Sequence, residues 1–365
     1  MSIKNNTMPI EFEITKSPST FITILIFMFF VPFNAEVLTG SNPIELFVTN
    51  PIVALIGLIL YGLQVAILAD IAARYRLSNR AIFLLGFVFT LVQEDLGSGT
   101  FENTKLVYTT LLLRIGEFNV SYAFFILAFQ SIITVWTSIA IIRLAWPTRV
   151  SQPFLYKRHY VVIVPVLIVT YGGLIYYNLS TSVFPPIGVF AWQIVIVLAL
   201  LVVVLYAIRQ TVNHTPPKAH EAPVRWYSGL ALVSAFLFGA LAMIVGAVDT
   251  FDYAVDPKKS FPVLTPLGIA AQIVAIGISI LSLLLAWKLF TRLDTDPALT
   301  NAKLYAVVVT FLLFWLVLGF IFRTLISDVF VLLVFPGEFY LIRRASTPTL
   351  TSHKPPAESL VDFDD

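Results

Sequence analysis

The sequence predicts an all-α protein, a polytopic bundle of about ten transmembrane helices with both termini on the cytoplasmic side. Three observations carry this. Of the 365 residues, 58% are hydrophobic and only 12% are charged, against roughly 25% charged in a soluble domain. A chain this apolar has too few polar groups to cover its surface in water. Ten apolar segments follow one another, and lipid admits only helices or closed barrels because it offers no partner to free backbone groups. The basic residues divide unevenly between alternate loops, 18 against 5, and the positive-inside rule places the richer set, with both termini, in the cytoplasm.

The segments run Thr20–Leu38, Pro51–Ala72, Ala81–Leu96, Ser121–Ile142, Tyr160–Tyr177, Ile187–Ile208, Trp226–Val248, Leu264–Trp287, Ala302–Phe322 and Leu325–Ile342. A mostly polar stretch with Glu11 and Glu13 precedes the first, and no A-x-A cleavage site follows it, so it reads as a retained helix and not as a signal peptide. It is interrupted at Val31-Pro32-Phe33-Asn34-Ala35-Glu36, where the proline frees a carbonyl and kinks the helix. Asn34 and Glu36 then lie near the outer face. They read either as a kink with an interfacial glutamate or as part of an outward-facing polar pocket. The second segment carries Gln64, a candidate for a helix–helix hydrogen bond.

The third segment is the most informative. Its apolar part, Ala81 to Val92, ends in Gln93-Glu94-Asp95. Twelve helical residues rise about 18 Å, against about 30 Å of hydrocarbon. A helix starting at the membrane face beside Arg80 therefore carries two carboxylates into the bilayer, where such groups are functional candidates. The alternative is a short helix with thinned lipid that leaves both acids wet. In the fourth segment Gln130, Thr134, Thr137 and Ser138 fall at i, i+4, i+7 and i+8, which places them on one helix face. That face serves interhelical hydrogen bonds, worth about 0.6 kcal/mol each, or forms the wall of a polar cavity.

Later segments carry weaker signals. Gln193 and Gln272 lie inside theirs, and Ala242/Gly246 and Ala271/Ala275 form small-xxx-small pairs suited to close packing. Pro336-Gly337-Glu338 interrupts the last segment, with Glu338 set to pair with Arg343 or Arg344. The third and tenth segments have the weakest hydropathy, yet the charge bias supports both. Without the third alone every later loop inverts, and without the tenth alone the tail falls outside.

The chain thus divides into a cytoplasmic segment 1–17, a transmembrane domain 18–344 and a disordered cytoplasmic tail 345–365, which has three prolines, many Ser and Thr and an acidic end. The outer loop Gly97–Val120 holds an apolar run, Leu106–Leu113, that ends in Arg114 and is too short to span; it predicts a re-entrant or interfacial helix. The outer loop Asp249–Pro262 reads as charged and exposed. Asn119-Val120-Ser121 and Asn178-Leu179-Ser180 are sequons on the outer side.

Composition excludes several chemistries. There is no cysteine, hence no disulfide, thiolate nucleophile or Cys-ligated metal. His159, His214, His220 and His353 all lie outside the apolar segments, so no intramembrane zinc site is expected. No G-x-S-x-G or Walker A motif occurs, so neither a catalytic residue nor a cofactor is assigned. Net charge is +2 and no basic patch interleaves with aromatics, which leaves no support for nucleic-acid binding.

Residues about 80 to 147 resemble a family of uncharacterised bacterial and archaeal polytopic membrane proteins. In that family a glycine-containing helix ends in Glu-Glu-Gly, and a loop leads to a helix that closes at an apolar–Pro boundary. The corresponding stretches are Leu84-Leu85-Gly86, Gln93-Glu94-Asp95-Leu96, Gly116-Glu117-Phe118-Asn119 and Leu144-Ala145-Trp146-Pro147. The Glu-Glu-Gly core is not reproduced around Glu94 and Asp95. The resemblance implies a multi-pass membrane protein and carries no activity. The acid pair is also similar to the first motif of CAAX-protease-like membrane proteins, but that motif needs Glu-Glu and later intramembrane histidines, and this chain has neither.

The expected function is non-enzymatic: transport or binding of a small solute or ion through a polar cavity in the cell membrane, lined by segments one, three and four. Glu94 and Asp95 would bind a cation or proton, balanced by Arg114. Gln130, Thr134 and Thr137 would line the path, joined by Asn34 and Glu36. The partners are then the lipid bilayer and a small solute or cation. The rival from another class is a structural or assembly subunit that meets other membrane proteins. A third is an intramembrane hydrolase, disfavoured by the missing nucleophile motif and metal ligands.

Overall fold

The structure, a computed structural model, describes residues 18–39, 41–101, 114–115, 118–146, 152–180, 187–213, 221–255, 266–322 and 324–346. Each of the ten apolar segments is a helix. In chain order they are α1 (Thr20–Val37), a short α2 (Ile44–Thr49), α3 (Pro51–Arg74), α4 (Asn79–Thr90, continued by Leu91–Gly97) and α5 (Val120–Phe129, Gln130–Thr137, Ser138–Ala145). Then follow α6 (Lys157–Ser180), α7 (Ile187–Asn213), α8 (Val224–Val255), α9 (Pro266–Thr295), α10 (Asn301–Phe322) and α11 (Leu325–Ser346). Among the described residues seven helices are long and apolar enough to cross a membrane: α1, α3, α5, α6 and the greater part of α7, α9 and α10.

Local chemistry sets several starts. The Ser19 hydroxyl accepts from Ile22 N–H at the head of α1, and Ser78 does the same for Ala81 N–H at the head of α4. Asn50 caps α3 through Val53 N–H, with Pro51 at the first helical position, where its missing N–H costs nothing.

The helices sort by burial. Of the spanning residues of α5, 89% are buried, against 6% for α6 and 11% for α7. α4 and α5 therefore form the centre, and α6 and α7 turn Val, Ile, Leu and Tyr side chains outward, as a lipid-facing helix must. The central pair is in backbone contact: a Cβ on Gly86 would fall on the Cα of Ser131. α1 and α3 meet as closely, where a Cβ on Gly62 would strike the backbone of Met28. On the other side of α5, Trp136 packs on Phe290 of α9 at 4.7 Å and on Phe311 of α10 at 6.4 Å. α8 packs against α9 and α10.

Two polar staples close the bundle at its ends. Asp70 of α3, fully buried, accepts from Phe154 N–H, Leu155 N–H and the Tyr160 hydroxyl. At the other end Glu45 of α2 accepts from Thr324 at 2.5 Å and Ser327 at 2.9 Å, and Ile44 N–H donates to Ser327 Oγ.

Several expectations need correction. α11 runs unbroken through Pro336 to Ser346, because a proline in a membrane helix leaves a carbonyl that neighbouring groups satisfy. The first part of the expected loop Asp249–Pro262 continues α8 to Val255. Within Gly97–Val120, Arg114–Ile115 (β1) pairs antiparallel with Phe118–Asn119 (β2). The run Leu106–Leu113, residues 1–17, residues 347–365 and the side chains of Arg114, Gln193, Ala242, Gly246, Ala271, Gln272, Ala275, Glu338, Arg343 and Arg344 lie outside the described residues.

Candidate polar site between the first membrane helices

Four helices loosen at corresponding places. Phe33–Val37 of α1, Leu58–Leu63 of α3, Leu91–Gly97 of α4 and Gln130–Thr137 of α5 are π-helical. Leu38 N–H reaches back five residues to Phe33 O at 2.8 Å, and Ser98 N–H to Gln93 O at 2.9 Å. Such turns are rare and gather at functional sites. The sequence shows why they open here. Pro32 withholds an N–H at the head of the first. The second contains Gly62, pressed on Met28. The third ends at Gly97, where a Cβ would lie 2.6 Å from the Tyr171 ring. An inserted residue turns the side chains beyond it by about 100°. The loosened turn of α1 packs on that of α5, α4 packs on that of α5, and α6 packs on those of α3 and α4. These turns carry Asn34, Glu36, Tyr61, Gln93, Glu94, Asp95, Gln130, Thr134 and Thr137.

Glu94 is the hub. It is 5% exposed. Its Oε1 accepts from Gln130 Nε2 at 2.7 Å and from the Tyr61 hydroxyl at 3.4 Å, and its Oε2 accepts from the Thr100 hydroxyl at 3.0 Å. Thr134 donates in turn to Gln130 Oε1. Glu36, 7% exposed, accepts from Asn42 Nδ2 at 2.6 Å and neighbours the same Tyr61 phenol. Two carboxyls from different helices therefore flank one tyrosine. Among the described residues no Lys, Arg or His pairs with Glu36 or Glu94; their donors Asn42, Tyr61, Thr100 and Gln130 are neutral.

A second network lies beside the first. The Tyr171 oxygen is 2.5 Å from Gln64 Oε1 and 2.8 Å from Gln93 Oε1. A phenol has one proton, so one of the two amides must present its NH₂ to the tyrosine. Asn178 donates to the carbonyls of Gly97 at 3.0 Å and Ser98 at 3.3 Å, which ties α6 to the end of α4 and commits the amide of that sequon to the interior.

The structure brings Glu94, Gln130 and Thr134 into one hydrogen-bonded chain, with Glu36 joined through Tyr61. Asp95 is buried at 4% exposure. Asn34 is fully buried, but it stands two residues from Glu36, on the opposite side of its turn, and neither its Oδ1 nor its Nδ2 has a protein partner. Thr137 and Ser138 are fully buried, and their hydroxyls are likewise unpartnered. Tyr61, Thr100, Asn42 and Tyr171 escaped the sequence reading. A tyrosine inside a Leu- and Ile-rich run carries no local signal, although Tyr61-Gly62 sits at a close helix approach.

At the far end of α4, Arg80 is paired. Asp294 of α9 accepts from Arg80 Nε at 3.1 Å and from the backbone and side chain of Asn79, and Trp136 Nε1 donates to Asn79 Oδ1 at 3.2 Å. Lys303 is held by Asp296 at 2.9 Å. No group of three or more His, Asp or Glu is placed to hold a metal ion among the described residues.

Residues 25–335 match the profile of an uncharacterized membrane protein family. No curated protein and no solved structure matches the chain.

Proposed function

The chain belongs to that uncharacterized membrane protein family, and we propose that it handles a small solute or ion at the polar site between α1, α3, α4 and α5. The supporting observation is the pair Glu36 and Glu94, both buried and, among the described residues, held by neutral donors. A carboxylate withdrawn from water costs several kcal/mol unless a counter-charge or a proton meets it. A pair that meets no basic side chain is suited to take up a cation or a proton. In this reading Glu94, Glu36 and Asp95 bind the ion, Gln130, Thr134, Thr137 and Asn34 line its route, and Arg114 supplies the counter-charge that the sequence suggests.

The reading extends to topology. Residues 18–344 form a domain of ten spans in the cell membrane, with residues 1–17 and 345–365 in the cytoplasm. The 18 to 5 division of basic residues supports it. The assembly-subunit reading has one observation in its favour: the Tyr171, Gln64 and Gln93 group is closed on itself and ties α3, α4 and α6 together. Polar groups of that kind serve packing.

Thermal unfolding of purified wild type and Glu94→Gln, across pH and with monovalent and divalent cations, separates the readings. Ion handling predicts that the wild type responds to pH or to a cation and that Glu94→Gln loses the response while remaining folded. A variant that matches wild type in stability, pH dependence and every cation response refutes the assignment of Glu94.

A further inference from the structure

The polar face of α5 continues beyond Gln130. Thr134, Thr137 and Ser138 extend it toward Ala145, and all three are fully buried. A buried helical hydroxyl ordinarily donates to the carbonyl four residues back. Thr90 does so to Gly86 at 2.8 Å, Ser131 to Leu127 at 2.5 Å and Thr310 to Ala306 at 2.7 Å. Thr137 and Ser138 do not, and they sit where the loosened turn of α5 returns to α-helix. The turn of α1 that bears the unpartnered Asn34 packs on the same stretch. A buried polar group left unmet is costly, and ordered water is what usually meets it. Trp136, next to Thr137 on α5, donates to Asn79 Oδ1, and Asn79 donates to Asp294.

The seam is also narrow, because Gly86 rests on Ser131. Gln130 and Glu94 are already in contact at 2.7 Å. Helices this close leave room for water and for little else.

We propose that the ion is the proton. It passes between the Glu36–Tyr61–Glu94 group and the Asn79–Asp294 group along water held by Asn34, Thr137 and Ser138. This rests on the function proposed above and names its substrate. Uptake at Glu94 converts the carboxylate to the neutral acid, and release to water beside Thr134 restores it. No other bond changes and no oxidant or reductant is needed. The titratable groups that face Glu94 are Glu36 from α1, Tyr61 from α3 and Tyr171 from α6, with Asp95 adjacent on α4. From α5 it meets only neutral Gln130 and, through it, Thr134.

The full-length protein in liposomes that contain a pH-sensitive dye tests this, with a potassium diffusion potential set by valinomycin as the driving force. Wild type should move protons well above the rate of empty liposomes. Glu94→Gln should fall to that background. The double variant Thr137→Val/Ser138→Ala should slow several-fold with its thermal midpoint unchanged or raised, since neither hydroxyl has a protein partner to lose. Thr170→Val should conduct as wild type, because that hydroxyl, on α6, is satisfied by Val166 O at 2.8 Å. A wild-type rate equal to that of empty liposomes, or a double variant that conducts fully, overturns the proposal. If protons do not move but a cation stabilises wild type and not Glu94→Gln, the proton inference fails and the broader function stands. If neither response occurs, both fail.

Discussion

Replacing Asp70 by alanine should cost about 3–5 kcal/mol of stability, because it leaves three buried donors without their acceptor. The carboxylate is fully buried and saturated. Its Oδ1 accepts from Phe154 N–H at 2.6 Å and Leu155 N–H at 2.8 Å, and its Oδ2 from Tyr160 at 2.7 Å and Arg74 Nη2 at 2.9 Å. Alanine strands two backbone donors and a phenol, at about 1–3 kcal/mol each before water relieves any of them. The Arg74 side chain, 43% exposed, can turn to solvent and adds little. The damage should spread, because Phe154 stacks on Phe27 of α1 at 6.0 Å and its carbonyl accepts from Thr20. At about 1.4 kcal/mol per tenfold, the unfolding equilibrium should shift at least a hundredfold. Asp70→Asn keeps the Oδ1 acceptor and loses the charge, so about 1.5–3 kcal/mol is expected, the value of a charged hydrogen bond. Reversible unfolding in mixed dodecyl sulfate and maltoside micelles measures both. If Asp70→Ala unfolds within about 0.5 kcal/mol of wild type, the size of an ordinary surface change, the saturated carboxylate does not hold this end of the bundle.

Topology is testable against a clean background, since the chain has no cysteine. Cysteines placed singly at Ser41 and Ser260 should react with a membrane-impermeant thiol reagent in intact cells, and one at Thr351 should not; labelling at Thr351 refutes cytoplasmic termini. Gly86→Val should destabilise by about 1–3 kcal/mol or more through overpacking on Ser131, and a variant with an unchanged thermal midpoint would show that α4 and α5 are further apart. Tyr171→Phe should cost about 0.6–1.7 kcal/mol, the range of single hydrogen bonds in a membrane bundle, without changing any ion response. Burial pushes the Asp296 carboxyl up, but the Tyr227 hydroxyl, Lys303 and Ala298 N–H outweigh it and hold it at about 2. Its folded value lies below the ordinary 3.8, so its stabilisation is complete above that value and is lost as pH falls toward 2. Asp296→Asn should therefore be less stable than wild type at neutral pH and converge with it in acid; parallel pH profiles would contradict this.

Hydropathy is a local property of the chain in contact with lipid or water, which is why an all-helical membrane protein and the helix of the weak third segment were legible from residue order. Glu94 drew attention for the same reason, as an acid too soon after a short apolar run. Partners depend on distant parts of the chain. Nothing near Glu94 names Tyr61 or Gln130, 33 and 36 residues away, and nothing near Arg80 names Asp294, 214 residues on. Asp70 passed unnoticed inside an apolar segment because three of its donors come from residues more than eighty positions later. The loosened turns were invisible too. They depend on which carbonyl an N–H selects once a neighbouring helix has come as close as Gly62 does to Met28, or Gly86 to Ser131. Residue order thus marked where polar groups enter the membrane, and packing chose which of them meet, because a buried hydrogen bond needs a partner that only the assembled bundle supplies.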